Sequence, residues 1–86
     1  MAYVCPVCGF PALHEPPRSE NTGGGSYEIC PACGFEFGVT DDDEGHSYAD
    51  WRRRWVAEGM PWSSKDIDPP PNGWDAAEQL RRLFDR

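Results

Sequence analysis

The segment CPVCGF at residues 5–10 returns almost unchanged as CPACGF at residues 30–35, with 21 residues between Cys8 and Cys30. Nothing else in the chain repeats. Each copy is a pair of cysteines two residues apart, followed by glycine and phenylalanine. That interval lets both sulfurs of a pair point at one ion from a tight turn. Pro6 and Pro31 stiffen the turns, and Gly9 and Gly34 suit the left-handed backbone required just after the second cysteine. Two such knuckles brought together offer four sulfurs at the corners of a tetrahedron, a donor set for zinc or iron. The spacing predicts Cys5, Cys8, Cys30 and Cys33 as ligands of one Zn2+ per chain. Catalytic zinc keeps a coordination position for water, whereas four thiolates fill the shell, so the expected role is structural.

Tyr3-Val4 and Ser26 to Ile29 lead into the knuckles, and Phe10 to Leu13 and Phe35 to Val39 lead out. Phe35, Phe37 and Val39 alternate with Glu36 and Gly38, which is a strand period. These flanks are expected to form short β-hairpins joined by a Pro/Ser/Gly-rich loop from His14 to Ser26. Residues 1–38 then read as a zinc ribbon, residues 39–46 (VTDDDEGH) as an acidic connector, and residues 47–86 as two helices with a Pro-rich turn between them.

The first helix is expected from about Tyr48 to Glu58, with Ser47 as N-cap, Asp50 as its acidic partner and Gly59 just past the end. Tyr48, Trp51, Trp55 and Val56 fall on one face, and Asp50 stands at pairing distance from Arg54. The second helix follows Pro69 to Pro71, with Asn72 as cap, Asp75 and Glu78 near its start and Arg81, Arg82 and Arg86 toward its end. Trp74, Ala77, Leu80, Leu83 and Phe84 form its apolar stripe. The expected fold class is small α+β: a metal-stapled ribbon followed by two C-terminal helices, packed on each other and on the ribbon as a single domain.

Length makes the staple necessary. A chain of 86 residues buries only roughly 60–65% of the surface its unfolded form exposes, and small scaffolds rely on disulfides or metals. No apolar run approaches the roughly 20 residues that span a bilayer. Met1 to Ala12 lacks the basic start and continuous apolar stretch of an export signal. The expected location is the reducing cytoplasm, where paired cysteines hold metal or do redox chemistry. Charge is uneven: residues 1–46 hold eight acids and one base, Arg18, while residues 47–86 hold seven of each. Four thiolates around a dication would take the first part to about −9. Such a surface repels phosphate backbones.

The segments CPVCGFPALHEPP and SYEICPACGFEFG resemble the cysteine-rich CPCC-type family of small bacterial proteins, and DWRRRWVAEGMPWSS with GWDAAEQLRRL is similar to the helical tail of some of its members. The resemblance covers most of residues 3–83. It implies zinc at Cys5, Cys8, Cys30 and Cys33 and supplies no activity. Val7 departs from the name-giving motif, which has a third cysteine there. Its absence favours a simple four-ligand site.

Other features carry less. Asp41 to Glu44 cannot form a calcium loop of the EF-hand type, because placing Gly45 at the sixth position puts Trp51 where the final glutamate belongs. His14 and His46 have no partner at catalytic spacing. Trp51, Trp55, Trp62 and Trp74 are expected mainly in the core, with Trp62 the candidate anchor for a protein partner. Arg52, Arg53 and Arg54 are expected to be solvated and paired with the acidic connector, or to meet an anionic partner. The reading that follows is a non-catalytic zinc-ribbon protein that binds another protein or itself, with no catalytic residue and no membrane or nucleic-acid partner. Two alternatives stand beside it: a sequence-specific nucleic-acid-binding ribbon, and a rubredoxin-like iron electron carrier.

Overall fold

A computed structural model describes residues 2–19, 21–70 and 73–85. Two helices are present, α1 (Tyr48–Ala57) and α2 (Ala76–Phe84). Strands are the main departure from expectation. Among the described residues the hairpin flanks are reduced to three isolated antiparallel bridges, Tyr3–Leu13, Arg18–Gly25 and Ile29–Glu36. Local causes are visible. Pro11 has no N–H to extend the first ladder. In the second, Tyr27 takes φ 63° and Gly38 φ 103°, both left-handed, so neither leg stays extended past Glu28 and Phe37.

Beyond Phe37 the chain winds into successive turns rather than continuing to Val39 as a strand. Thr40 and Glu36 hold the first turn: the Thr40 amide donates to the Glu36 carbonyl at 2.9 Å, and the Thr40 hydroxyl accepts from the Glu36 amide at 3.1 Å. Asp41 accepts from the Gly38 amide at 2.7 Å. The acidic residues 41–42 are clamped by Arg18, whose guanidinium pairs with Asp41 at 2.8 Å and Asp42 at 2.9 Å. Arg18 comes from the loop between the two knuckles, whereas Arg52 to Arg54 were the expected partners. Burial pushes the Asp41 carboxyl up, but the Gly38 and Asp42 amides and Arg18 outweigh it and hold the group below the usual carboxylate range.

Ser47 caps α1 as expected, its hydroxyl accepting from the Asp50 amide at 3.0 Å. Gly59 follows the helix at φ 93°. Asp50 pairs with Arg53, three residues on, and Arg54 with Glu58, so the expected Asp50–Arg54 pair is replaced by two others. Asp75, not Asn72, caps α2, accepting from the Glu78 amide at 3.0 Å; Asn72 and Arg86 lie outside the described residues. The inward faces also differ from the expected stripes. Val56, Ala77 and Phe84 are exposed, while Gln79 is buried.

The core runs through the knuckles. Cys5, Val7, Cys8, Leu13, Cys30, Ala32, Phe35 and Phe37 are fully buried, and Trp55 nearly so. Phe35 is ringed by Phe37, Tyr48 and Trp51, with centroids at 5.1, 5.3 and 5.8 Å. A second aromatic line runs from Phe10 to Trp62 at 5.9 Å, to Trp74 at 5.0 Å and on to Trp55 at 6.4 Å. The two helices were expected to pack on each other; they meet through side chains, Arg52 of α1 lying over the Phe84 ring of α2 at 4.9 Å, without close backbone approach. Each also docks on the knuckles. No helix is long and apolar enough to cross a membrane among the described residues.

Candidate metal centre

Each knuckle closes on itself by the same two bonds. The Cys5 amide donates to Phe10 O at 2.8 Å and the Gly9 amide to Cys5 O at 2.9 Å; Cys30 to Phe35 O and Gly34 to Cys30 O repeat the pattern at 3.0 and 2.8 Å. The turn becomes possible because Gly9 and Gly34 adopt φ 85° and 80°, a region costly to any residue with a Cβ. Both sulfurs of each pair are thereby aimed inward.

The four Sγ atoms lie within 4.8 Å of one another, and all four residues are buried. Across the knuckles, Cys5 and Cys33 sulfurs are 3.9 Å apart and Cys8 and Cys30 sulfurs 3.6 Å. All four are free cysteines. A metal–sulfur bond of about 2.3 Å gives a tetrahedron with edges of about 3.8 Å, so the donor set fits a single four-coordinate ion. Among the described residues these cysteines are the one grouping of metal-binding side chains of this kind. His14 and His46 stand apart from it. His46 stacks edge-on to Trp51 at 5.4 Å.

Crowded thiols also ionise against one another. Hydrogen bonding from Cys30, reinforced by Cys33 and Cys8, pulls the Cys5 thiol far below its usual value, with the Cys8 amide adding to it. Cys30 pushes Cys8 and Cys33 far above theirs, and burial works in the same direction. Thiols packed this closely oppose one another's ionisation. A bound cation reverses that balance, since it favours every thiolate at once.

What covers the centre comes from the far half of the chain. Arg52 of α1 donates from Nε to Val7 O at 2.7 Å and from Nη2 to Pro6 O at 2.6 Å. Trp51 donates from Nε1 to Cys33 O at 2.9 Å. Ser63 and Ser64 amides reach Pro31 O at 3.1 and 2.9 Å. Gln79 of α2 donates to Cys8 O at 3.2 Å and to Cys8 Sγ at 3.5 Å. None of these contacts was predicted. Their only sequence signal is a glutamine one position from the expected stripe and an arginine beside its tryptophans.

The chain has bacterial relatives. It is 28% identical over 71 residues to the uncharacterised protein YoaQ of Bacillus subtilis (strain 168), a match covering 67% of this chain and 60% of YoaQ. It is 24% identical over 81 residues to the uncharacterised protein YozI of the same organism, covering 78% of this chain and 67% of YozI. The chain thus spans about 60% of the length of YoaQ. No family model matches, so the CPCC-type resemblance rests on its motifs alone, and no solved structure matches. These relatives agree with a small bacterial protein type of unassigned role.

The residues expected to meet a partner are placed as follows. Arg52 bonds the first knuckle through Nε and Nη2 and lies over the Phe84 ring at 4.9 Å. Arg54 lies over Trp51 at 4.9 Å. Arg53 is exposed. Trp62 is half-buried between Phe10 and Trp74, and its Nε1 donates to Ile67 O at 2.7 Å. Tyr27, Phe84 and Ile29, at 67%, 63% and 56% exposure, are more open apolar side chains than Trp62.

Proposed function

We propose that this chain is a zinc protein: Cys5, Cys8, Cys30 and Cys33 hold one structural Zn2+, and the folded unit serves as a non-catalytic protein-interaction module of the cytoplasm. The observation that carries the metal reading is the buried four-sulfur cluster with cross-knuckle separations of 3.6 and 3.9 Å, the edge lengths of a single-ion tetrahedron. Zinc would supply the charge that lets four adjacent thiols ionise and would tie residues 1–38 into a ribbon. The helices at 47–86 would complete the same folding unit through the connector at 39–46.

The interaction reading draws on the exposed Tyr27 and Ile29 and on charge. Arg52 is internally bonded, Arg53 and Arg54 are paired with acids, and the chain carries a net charge of −7. That combination disfavours a nucleic-acid partner. Elemental analysis of protein purified without added metal tests the proposal. About one zinc per chain is expected, in a colourless protein. A red protein with iron in place of zinc would support the electron-carrier alternative, and disulfides with no metal would overturn both.

A further inference from the structure

Gln79 is the polar side chain of α2 that is buried, at 7% exposure. Its amide is fully used. Oε1 accepts from Trp74 Nε1 at 2.8 Å, and Nε2 lies 3.2 Å from Cys8 O and 3.5 Å from Cys8 Sγ. The amide's orientation is determined by its neighbours: the indole N–H only donates and the Cys8 carbonyl only accepts, so Nε2 must face the knuckle. Two hydrogens on Nε2 serve two acceptors. The helix carrying them sits flush on the same turn, because a Cβ on Gly9 would overlap the Gln79 carbonyl oxygen and approach Leu83 Cβ to 3.2 Å.

A dication with four thiolates carries a net −2, and here it would stand among residues of 0–4% exposure. Buried charge of that kind needs donors aimed at it. Gln79 supplies one from 71 residues away. Resting on the metal reading above, we propose that Gln79 is a positioning residue for the metal: its side-chain N–H bonds the Cys8 sulfur and makes occupancy of the centre depend on the seating of α2 against the first knuckle. The bond strengthens when the sulfur becomes a metal thiolate, so metal and helix favour each other reciprocally. Loss of the metal then loosens α2 first at the contact between Gly9 and Gln79.

Two measurements test this on the full chain. In the cadmium-113 form of the wild-type protein, a scalar coupling is expected between the metal and a Gln79 side-chain amide proton, transmitted through Cys8 Sγ. In the cobalt form, Gln79→Met, which keeps the bulk and removes the donor, should move the thiolate-to-cobalt charge-transfer band to lower energy and weaken metal affinity about 10-fold or more. Leu80→Ala, which keeps the donor and only loosens the seating of α2, should move the band in the same direction but by less. Absence of the coupling, an unmoved band in Gln79→Met or an equal shift in Leu80→Ala would overturn the inference while leaving the metal reading intact. If Gln79→Met does not fold, the wild-type coupling decides. Cobalt and cadmium that give no thiolate bands at all would overturn both.

Discussion

The two knuckles differ at one residue of six, Val7 against Ala32, yet they are covered in different ways. Side chains from both helices hold the first: Arg52 on two of its carbonyls and Gln79 on Cys8. Backbone amides of Ser63 and Ser64 hold the second, joined by the indole of Trp51. Their glycines show the same contrast. At Gly9 the neighbour is α2 backbone; at Gly34 it is the Ser63 side chain. Near-identical local sequence fixes the turn and its inward sulfurs. Distant residues decide how strongly each turn is held and by what.

The largest expected effect erases the contrast. Cys30→Ser removes one ligand, and structural zinc contributes roughly 10 kcal/mol or more of apparent binding energy, so both knuckles should lose amide dispersion together. Dispersion that survives in one knuckle would show that the two fold separately. Next is the glycine pair. Gly34→Ala should cost about 1–2 kcal/mol for a left-handed alanine, because the Ser63 hydroxyl can rotate aside. Gly9→Ala should cost about 3 kcal/mol or more, since overpacking against backbone adds to the strain. Urea unfolding of the metal-loaded variants measures both, and equal costs would break the comparison.

Removing single donors sharpens it further. Arg52→Ala strands two carbonyls and should destabilise by about 2–3 kcal/mol, against about 1 kcal/mol for Trp51→Phe. Arg52→Lys should not restore the loss, because a point charge cannot span Pro6 O and Val7 O as the guanidinium fork does. The smallest effect lies outside both knuckles. The Asp41 carboxyl is held below its ordinary value, so its contribution is complete above the unfolded-state pKa and disappears as pH falls through the folded one. Asp41→Asn should cost about 1 kcal/mol at neutral pH, with the gap to wild type closing in acid. A gap that widens in acid would reverse the assignment.

The cysteines were legible because metal chemistry acts through spacing, and spacing is written directly in the chain. Ser47 and Gly59 were legible for the same reason: a cap acts within four residues. The hairpins were misread because Phe35, Phe37 and Val39 alternate as a strand would, while left-handed Gly38 and the Thr40 and Asp41 side chains bend the chain into turns. Arg18 pairing with Asp41 and Asp42 spans more than 20 positions, and no local pattern marks it. Gln79 was passed over because a polar residue on a helix reads as solvent-facing until something buried needs its hydrogen bond.

All four indole N–H groups have partners inside the chain: Cys33 O, Pro61 O, Ile67 O and Gln79 Oε1. Three of those rings, Trp55, Trp62 and Trp74, form an unbroken relay with neighbours 5.0 and 6.4 Å apart, while Trp51 stands on the second knuckle. Light absorbed by any ring of the relay is shared among the three, so their emission behaves as one signal. Trp51 lies one turn of α1 from Trp55 and joins the same exchange. Lifting α2 would break the bond between the Trp74 indole and Gln79 and change that shared signal, so a fluorescence trace would follow the release of α2 from the first knuckle.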